Sequence, residues 1–119
     1  MYSEIVLEHF RHPHNVGALP DATATAEVVN PVCGDILRLS ARVEDGRIVR
    51  ARFKTQGCVA AIAASSMLTD LLIGKTLTEA RNLSPEEISE SLGGLPRATF
   101  HAAQLCVDGF AALLSKLER

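Results

Sequence analysis

Three cysteines, a histidine and an aspartate stand at three separated places in this 119-residue chain, and together they have the chemistry of a metal site. Cys33 lies in a turn, with Asp35 two residues further on. Cys58 comes at the end of a predicted strand, and a late helix carries His101 and Cys106. Two sulfurs, one oxygen and one nitrogen suit tetrahedral Zn²⁺ or iron. These residues therefore predict a metal site that folding assembles.

The same residue types also occur in proteins that bind no metal. A free cysteine often behaves as a small apolar side chain that is simply buried, and no CxxC pair is present to favour metal binding. A thiol enzyme is a further possibility, in which His101 would activate Cys58 as a nucleophile. From the residues alone, these alternatives stay open.

Composition narrows the class of protein. The length is that of one domain, so residues 1–119 are expected to fold as a single unit without disulfides. The N-terminus does not have the pattern of a secretory signal, and the odd cysteine count indicates reduced thiols in the cytoplasm. No apolar run reaches the ~18 to 20 residues of a membrane helix. A net charge of -2 and the absence of Trp argue against nucleic acid as a ligand.

The cysteines flank a predicted β-hairpin. Residues 37–43 and 49–55 alternate apolar and basic side chains on either side of a tight turn. Antiparallel pairing of these strands would return Cys58 beside Cys33, although the two are distant in sequence. The outer face carries a basic row, which is either a solvated sheet surface or a docking surface for an acidic partner: Arg38, Arg42, Arg50, Arg52 and Lys54.

The other elements are helices and one further strand. In order, the patterns predict a helical arm over residues 2–11, a strand over 25–30, an apolar central helix over 59–73, a capped helix over 84–91 and a last helix over about 97–117. Strands grouped before helices predict an α+β fold. We expect a three-stranded antiparallel sheet with helices packed on one face and an N-terminal helical arm.

Several segments match, in order, the motifs of one protein family. They are residues 2–4, 9–10, 13 and 15–17, then 33–35 with the sequence Cys-Gly-Asp, and finally 51–55, 57–58, 61–63 and 65–66. With these motifs the chain resembles the iron-sulfur cluster assembly scaffold family, the IscU type that also forms the N-terminal domain of NifU. The resemblance covers nearly the whole chain and implies a SufE/NifU-like fold.

The resemblance also implies a function. A scaffold of this type accepts sulfur from a cysteine desulfurase, combines it with iron as a transient [2Fe-2S] cluster, and passes the cluster to acceptor apo-proteins or carrier proteins, without itself turning over a substrate. By position, Cys33 and Cys58 would be cluster ligands and sulfur acceptors. Asp35 would be a weaker oxygen ligand that keeps the site labile, and His101 a ligand or near neighbour. The alternative is a zinc-binding persulfide relay or a zinc-stabilised binding module, with Zn²⁺ in place of iron.

The chain departs from the family pattern at two places. In the family a third cysteine follows the histidine directly, whereas Ala102 follows His101 here. Cys106, about one helical turn away, either replaces that thiolate or is a buried thiol of the helix's apolar stripe. The family's chaperone-recognition segment ends in Pro-Val-Lys, whereas this chain has Arg97-Ala98-Thr99. That difference argues against use of a dedicated Hsp70-type chaperone system.

The N-terminal arm is rich in histidine, since His9, His12 and His14 fall within a few residues of one another. They could form a second metal cluster, but Pro13 breaks the helix between them. The match to the family's N-terminal pattern favours a role in docking the arm. Ser65 and Ser66 are expected to pack and hydrogen-bond within the central helix rather than to act as nucleophiles.

Overall fold

The computed structural model describes residues 1–118, and it confirms the α+β class. In chain order the elements are α1 (Glu4–Arg11), β1 (Ala24–Val29), β2 (Ile36–Glu44), β3 (Arg47–Gln56), α2 (Val59–Leu72), α3 (Leu77–Ala80), α4 (Pro85–Ser91) and α5 (His101–Leu117). The three strands form one sheet in the order β1-β2-β3, and both neighbouring pairs are antiparallel. Helices α2 and α5 pack on one face of this sheet.

The β2–β3 hairpin forms as predicted, with one shift in register. Its two-residue turn, at residues 45–46, has positive φ at both positions, which suits a tight hairpin. A β-bulge between Arg42 and Val43 pairs Val43 with Ile48. Because a bulge adds one residue to a strand, Ile48 takes the fully buried position, and Val49, the first apolar residue of the predicted alternation over 49–55, is only half-buried.

The core lies between the sheet and the two long helices. Leu37 and Leu39 of β2 are fully buried in one cluster with Leu68 of α2 and Leu113 of α5. Helix α2 is buried on nearly all sides, as its apolar sequence predicts. Helix α5 approaches the sheet closely at Gly109, where an added Cβ would lie 2.6 Å from Leu37 Cδ2.

The N-terminal arm, which comprises α1 and the residues after it up to Gly17, packs on α2. Helix α1 begins after Ser3, whose hydroxyl accepts a hydrogen bond from the Val6 amide at 3.1 Å. His9 Nδ1 lies 2.7 Å from Ser66 Oγ, and the same hydroxyl accepts from the His14 amide at 2.8 Å. Ser66 therefore joins the arm to the central helix. Ser65 donates to the Ala61 carbonyl at 2.7 Å, as expected for a serine packed within that helix.

One helix was missed by the sequence prediction. Helix α3 spans a single turn, and Thr76 and Glu79 close it with a capping box, in which each side chain accepts from the other residue's amide. The Thr-x-x-Glu pattern is the sequence signal for it. At α4, Ser84 accepts from the Glu87 amide as predicted, and Pro85 is the first helical residue.

The last helix begins later than predicted. Residues 97–99 form a 3-10 turn in which the Thr99 amide donates to the Pro96 carbonyl at 2.9 Å. This tighter winding delays α5, so His101 becomes its first residue. Neither α5 nor any other helix within residues 1–118 is long and apolar enough to cross a membrane.

Candidate metal centre

Three parts of the chain meet at one end of the hairpin. Strand β2 begins at Ile36 and β3 ends at Gln56, and these two residues are cross-strand partners. The segments that precede β2 and follow β3 therefore lie side by side, as strand pairing predicts. The start of α5 brings His101 to the same end, since His101 Nε2 lies 3.8 Å from Asp35 Oδ2.

A tight loop presents Cys33 to solvent. Asn30 organises the loop, because its side-chain Oδ1 accepts from the Val32 amide at 2.9 Å and its carbonyl accepts from the Gly34 amide at 2.8 Å. Gly34 has φ +78°, a conformation that favours glycine. Cys33 is consequently exposed at the tip of a turn whose backbone is held in place.

Asp35 is the common neighbour of the other candidate ligands. The residue is 8% exposed, and its Oδ2 lies 3.8 Å from both Cys58 Sγ and His101 Nε2. The ligand atoms of Cys33, Asp35 and His101 all lie within 4.8 Å of one another. Cys58 adjoins this group through Asp35. The structure thus brings all four of these side chains together.

Gly57 is a site residue that sequence reasoning missed. A Cβ atom at this position would lie 2.7 Å from Asp35 Cγ and 2.9 Å from its Oδ1, which is closer than real Cβ contacts allow. The glycine leaves the space that the Asp35 carboxylate occupies. Gly57 has no positive φ, so no local turn demands glycine here, and only the tertiary contact explains it.

Cys58 stands at the start of the central helix. It is the N-cap residue of α2, with extended backbone, and its side chain makes no capping hydrogen bond. The thiol is exposed and directed toward Asp35. Cys33 and Cys58 are therefore both accessible from solvent beside a largely buried carboxylate.

Cys106 lies apart from this group. The side chain is fully buried, and desolvation raises the pKa of its thiol to about 12, although a hydrogen bond with Ser65 opposes that rise. The structure supports the second of the two alternatives for Cys106. It is a buried thiol of the apolar stripe and does not replace the family's third cysteine. Ala102, at the family position, is also fully buried. The face of α5 that carries both residues packs into the core, which keeps them from the exposed site.

The basic outer face of the sheet is largely paired within the chain. Ion pairs join Arg50 to Asp21, Arg42 to Glu44 and Arg38 to Glu27. Arg52 donates to the Ala18 carbonyl at 3.1 Å. These local partners fit a solvated surface, but the side chains remain exposed, so the docking alternative stays a prediction.

Comparison with known sequences shows which protein family this chain resembles along its whole length. The family described as "NifU-like N terminal domain" matches residues 1–119. The "Iron-sulfur cluster assembly scaffold protein IscU 1" of Archaeoglobus fulgidus is 45% identical over 108 residues, which cover 91% of this chain and 71% of that protein. The "Iron-sulfur cluster assembly enzyme IscU" of Drosophila melanogaster is 41% identical over 119 residues, which cover 97% of this chain and 77% of that protein.

The fold is similar to that of solved structures. The N-terminal part of a nitrogen-fixing NifU-like protein from Brucella abortus matches with a TM-score of 0.75, and the match covers 98% of this chain and 93% of that one. At 21% identity this likeness concerns the fold alone. The sequence matches show more than a shared fold, because these two relatives are 45% and 41% identical over most of the chain. They also agree with the motifs found in the sequence. The chain belongs to the NifU-like N-terminal domain family, as an IscU-type member.

Proposed function

We propose that this protein is a scaffold on which an iron-sulfur cluster is assembled and from which it is released. The observation that carries the proposal is the convergence of Cys33, Asp35, Cys58 and His101 at one end of the hairpin. Relatives over most of the chain's length are named as iron-sulfur cluster assembly scaffold proteins. The cluster is cargo in this scheme, so the site has to bind it and then release it.

The ligand set suits a labile [2Fe-2S] cluster. Cys33 and Cys58 supply the thiolates that iron-sulfur clusters require. Asp35 and His101 supply an oxygen and a nitrogen, which bind such a cluster less strongly than a third and fourth thiolate would. Asp35 Oδ2 lies 3.8 Å from both Cys58 Sγ and His101 Nε2, so its carboxylate can reach the same iron as they do. A cluster held in this way is released more readily than one held by four cysteines.

The exposed thiols are the sulfur acceptors in this proposal. A thiolate of Cys33 or Cys58 attacks the terminal sulfur of a cysteine desulfurase persulfide, the donor's S–S bond breaks, and the donor thiolate leaves. Reducing two such sulfurs to sulfide takes four electrons. Two ferrous ions supply two of these as they become ferric, and a dithiol reductant supplies the other two. Cys106 takes no part, because it is buried and protonated.

Release of the cluster also depends on the exposure of its two cysteine ligands. Cys33 and Cys58 stand at the surface, where an acceptor apo-protein or carrier protein can offer its own thiolates to the cluster. The segment that corresponds to the family's chaperone-recognition sequence forms the 3-10 turn at residues 97–99, next to His101. Because this segment lacks the Pro-Val-Lys run, we propose that transfer proceeds without a dedicated Hsp70-type chaperone.

Cluster reconstitution tests the function. The protein is incubated anaerobically with a cysteine desulfurase, cysteine, ferrous iron and dithiothreitol, and visible charge-transfer absorption is recorded. We expect absorption in the wild type, loss of it in Cys33→Ala and Cys58→Ala, and retention in the matched control Cys106→Ala. A wild type that binds one zinc ion but forms no cluster would contradict the proposal and favour a zinc-binding module. Loss of the cluster in a folded Cys106→Ala variant would contradict the ligand set.

A further inference from the structure

A second group of metal-ligating side chains joins the N-terminal arm to α2. It consists of His9, His14 and Asp70, here called the arm cluster, whose ligand atoms all lie within 4.8 Å of one another. Asp70 is about 18 Å further along α2 than Cys58 at the helical rise per residue, so the arm cluster is separate from the candidate metal centre. His12, the third histidine of the arm, is exposed and does not belong to it.

The His14–Asp70 pair of the arm cluster would have to open only slightly to admit an ion. His14 Nδ1 lies 2.6 Å from Asp70 Oδ2, a hydrogen bond in which the ring N–H donates to the carboxylate oxygen. A cation in place of that proton would require a separation of roughly 3.3 Å, which tetrahedral Zn²⁺ sets between ligands about 2.0 Å from it. The rings of His9 and His14 have centroids 4.6 Å apart, so His9 stands within reach as a third ligand.

Neighbouring groups already orient the three side chains. Ser66 Oγ is 2.7 Å from His9 Nδ1, and when it accepts the Nδ1 proton, Nε2 is left free to bind an ion. Asp70 Oδ1 accepts a hydrogen bond from Asn15 Nδ2 at 3.3 Å, which leaves Oδ2 directed at His14. Oxygen partners for histidine ligands and hydrogen bonds to ligating carboxylates are the usual surroundings of protein metal sites.

Solvent access to the arm cluster and the protonation state of His9 also favour metal binding. The side chains of His14 and Asp70 are 49% and 35% exposed, so an ion can enter from solvent. His9 forms the inner wall, since it is 7% exposed. Burial, followed by the neighbouring His14, lowers the pKa of His9 below 6.5, whereas Asp70 and Glu8 oppose this shift. A neutral imidazole is the form that binds metals, and burial favours that form at His9.

We propose that the arm cluster binds a Zn²⁺ ion that fastens the N-terminal arm to the central helix. Two imidazoles and one carboxylate are a recognised zinc ligand set, with water at the fourth position. His9 and His14 belong to the arm and Asp70 belongs to α2, so the ion bridges the two segments. The set contains no thiolate, which distinguishes it from the site proposed for the cluster.

Metal titration of a variant without the candidate metal centre tests this proposal. Cys33→Ser, Cys58→Ser and His101→Ala together remove three of the four ligands there and alter only exposed or half-buried positions. In this background we expect calorimetry to show one Zn²⁺ bound per chain. His14→Asn and Asp70→Asn should each weaken the affinity at least ~10-fold, whereas the matched control His12→Asn should leave it unchanged. No saturable binding, or equal binding by all three variants, would overturn the proposal.

A variant could weaken metal binding merely by loosening the arm. A second experiment therefore looks for a new absorption band rather than a loss of affinity. Asp70→Cys, made in the same background, places a thiol where the carboxylate was. Titration with Co²⁺ should then produce thiolate-to-metal charge-transfer absorption, which the background protein with Asp70 lacks. If Asp70→Cys gives no such band while the protein remains folded, the ion does not bind at this position and the proposal fails.

Discussion

At the scale of single residues, Asp35 is the common neighbour of the other ligands in the candidate metal centre. Its carboxylate is largely buried, with Cys58 Sγ and His101 Nε2 each 3.8 Å from Oδ2. The backbone of Gly57 packs against the carboxylate with no room for a methyl group. Gly57 therefore positions Asp35 by leaving space, and it needs no ligand atom of its own to affect the site.

Gly57→Ala is expected to displace the Asp35 carboxylate, because the new Cβ would lie 2.7 Å from Asp35 Cγ. The affinity for ferrous iron, measured by anaerobic calorimetry, should fall by about 10-fold, as it does when the surroundings of a metal ligand are disturbed. The control is the same substitution in an Asp35→Ala background, where no carboxylate remains to be moved. A loss of equal size in both backgrounds would show that Gly57 does not act through Asp35.

At the scale of elements, α5 has two roles that depend on each other. Its first residue, His101, faces Asp35, and its middle lies against β2 at Gly109. An added Cβ at Gly109 would lie 2.6 Å from Leu37 Cδ2 and 3.4 Å from Val28 Cγ2. The closeness of helix and sheet at Gly109 therefore helps to set where His101 stands.

Gly109→Ala should destabilise the protein, even though alanine is the better helix former by about 1 kcal/mol. Overpacking against Leu37 is expected to cost about 1 to 3 kcal/mol in the free energy of unfolding, measured by urea denaturation. Leu37→Val should recover part of that loss when it is combined with Gly109→Ala, because it removes the carbon that the new methyl would meet. A Gly109→Ala protein more stable than the wild type would contradict the close packing.

At the scale of the whole molecule, the three cysteines fall into two classes. Cys33 and Cys58 are exposed at one end of the β2–β3 hairpin, whereas Cys106 is fully buried in the core cluster shared by the sheet and both long helices. Burial also raises the pKa of Cys106 to about 12, so its thiolate is scarce in the folded state. Reaction at Cys106 consequently requires that the core open.

Thiol labelling of the metal-free, reduced protein should separate these classes. A chromogenic disulfide reagent is expected to react at once with two thiols per chain, and with the third only as fast as the molecule unfolds. Urea should accelerate the slow phase in step with the unfolding rate measured by circular dichroism. Cys106→Ala should abolish the slow phase alone. Three equally fast thiols in the folded wild type would contradict the burial of Cys106.

Local patterns in the sequence determined most of the fold. Alternation of apolar and basic residues predicted the hairpin, and the all-apolar stretch predicted the buried helix, because both patterns depend only on the period of a strand or a helix. Strand pairing then predicted that Cys33 and Cys58 approach each other. The ligand chemistry of the sequence named Asp35 and His101 as their companions, the family motifs agreed, and the structure brings these residues together.

Contacts between distant segments were decided only by the tertiary structure. The spacing of Cys106 from His101 allowed two positions, and the packing of α5 on the sheet turned its thiol into the core. The need for glycine at position 57 arises from Asp35, and Asp70 joins His9 and His14 across the interface of arm and helix. Such relations have no period along the chain, since they depend on where whole elements pack, and this is why local sequence patterns did not predict them.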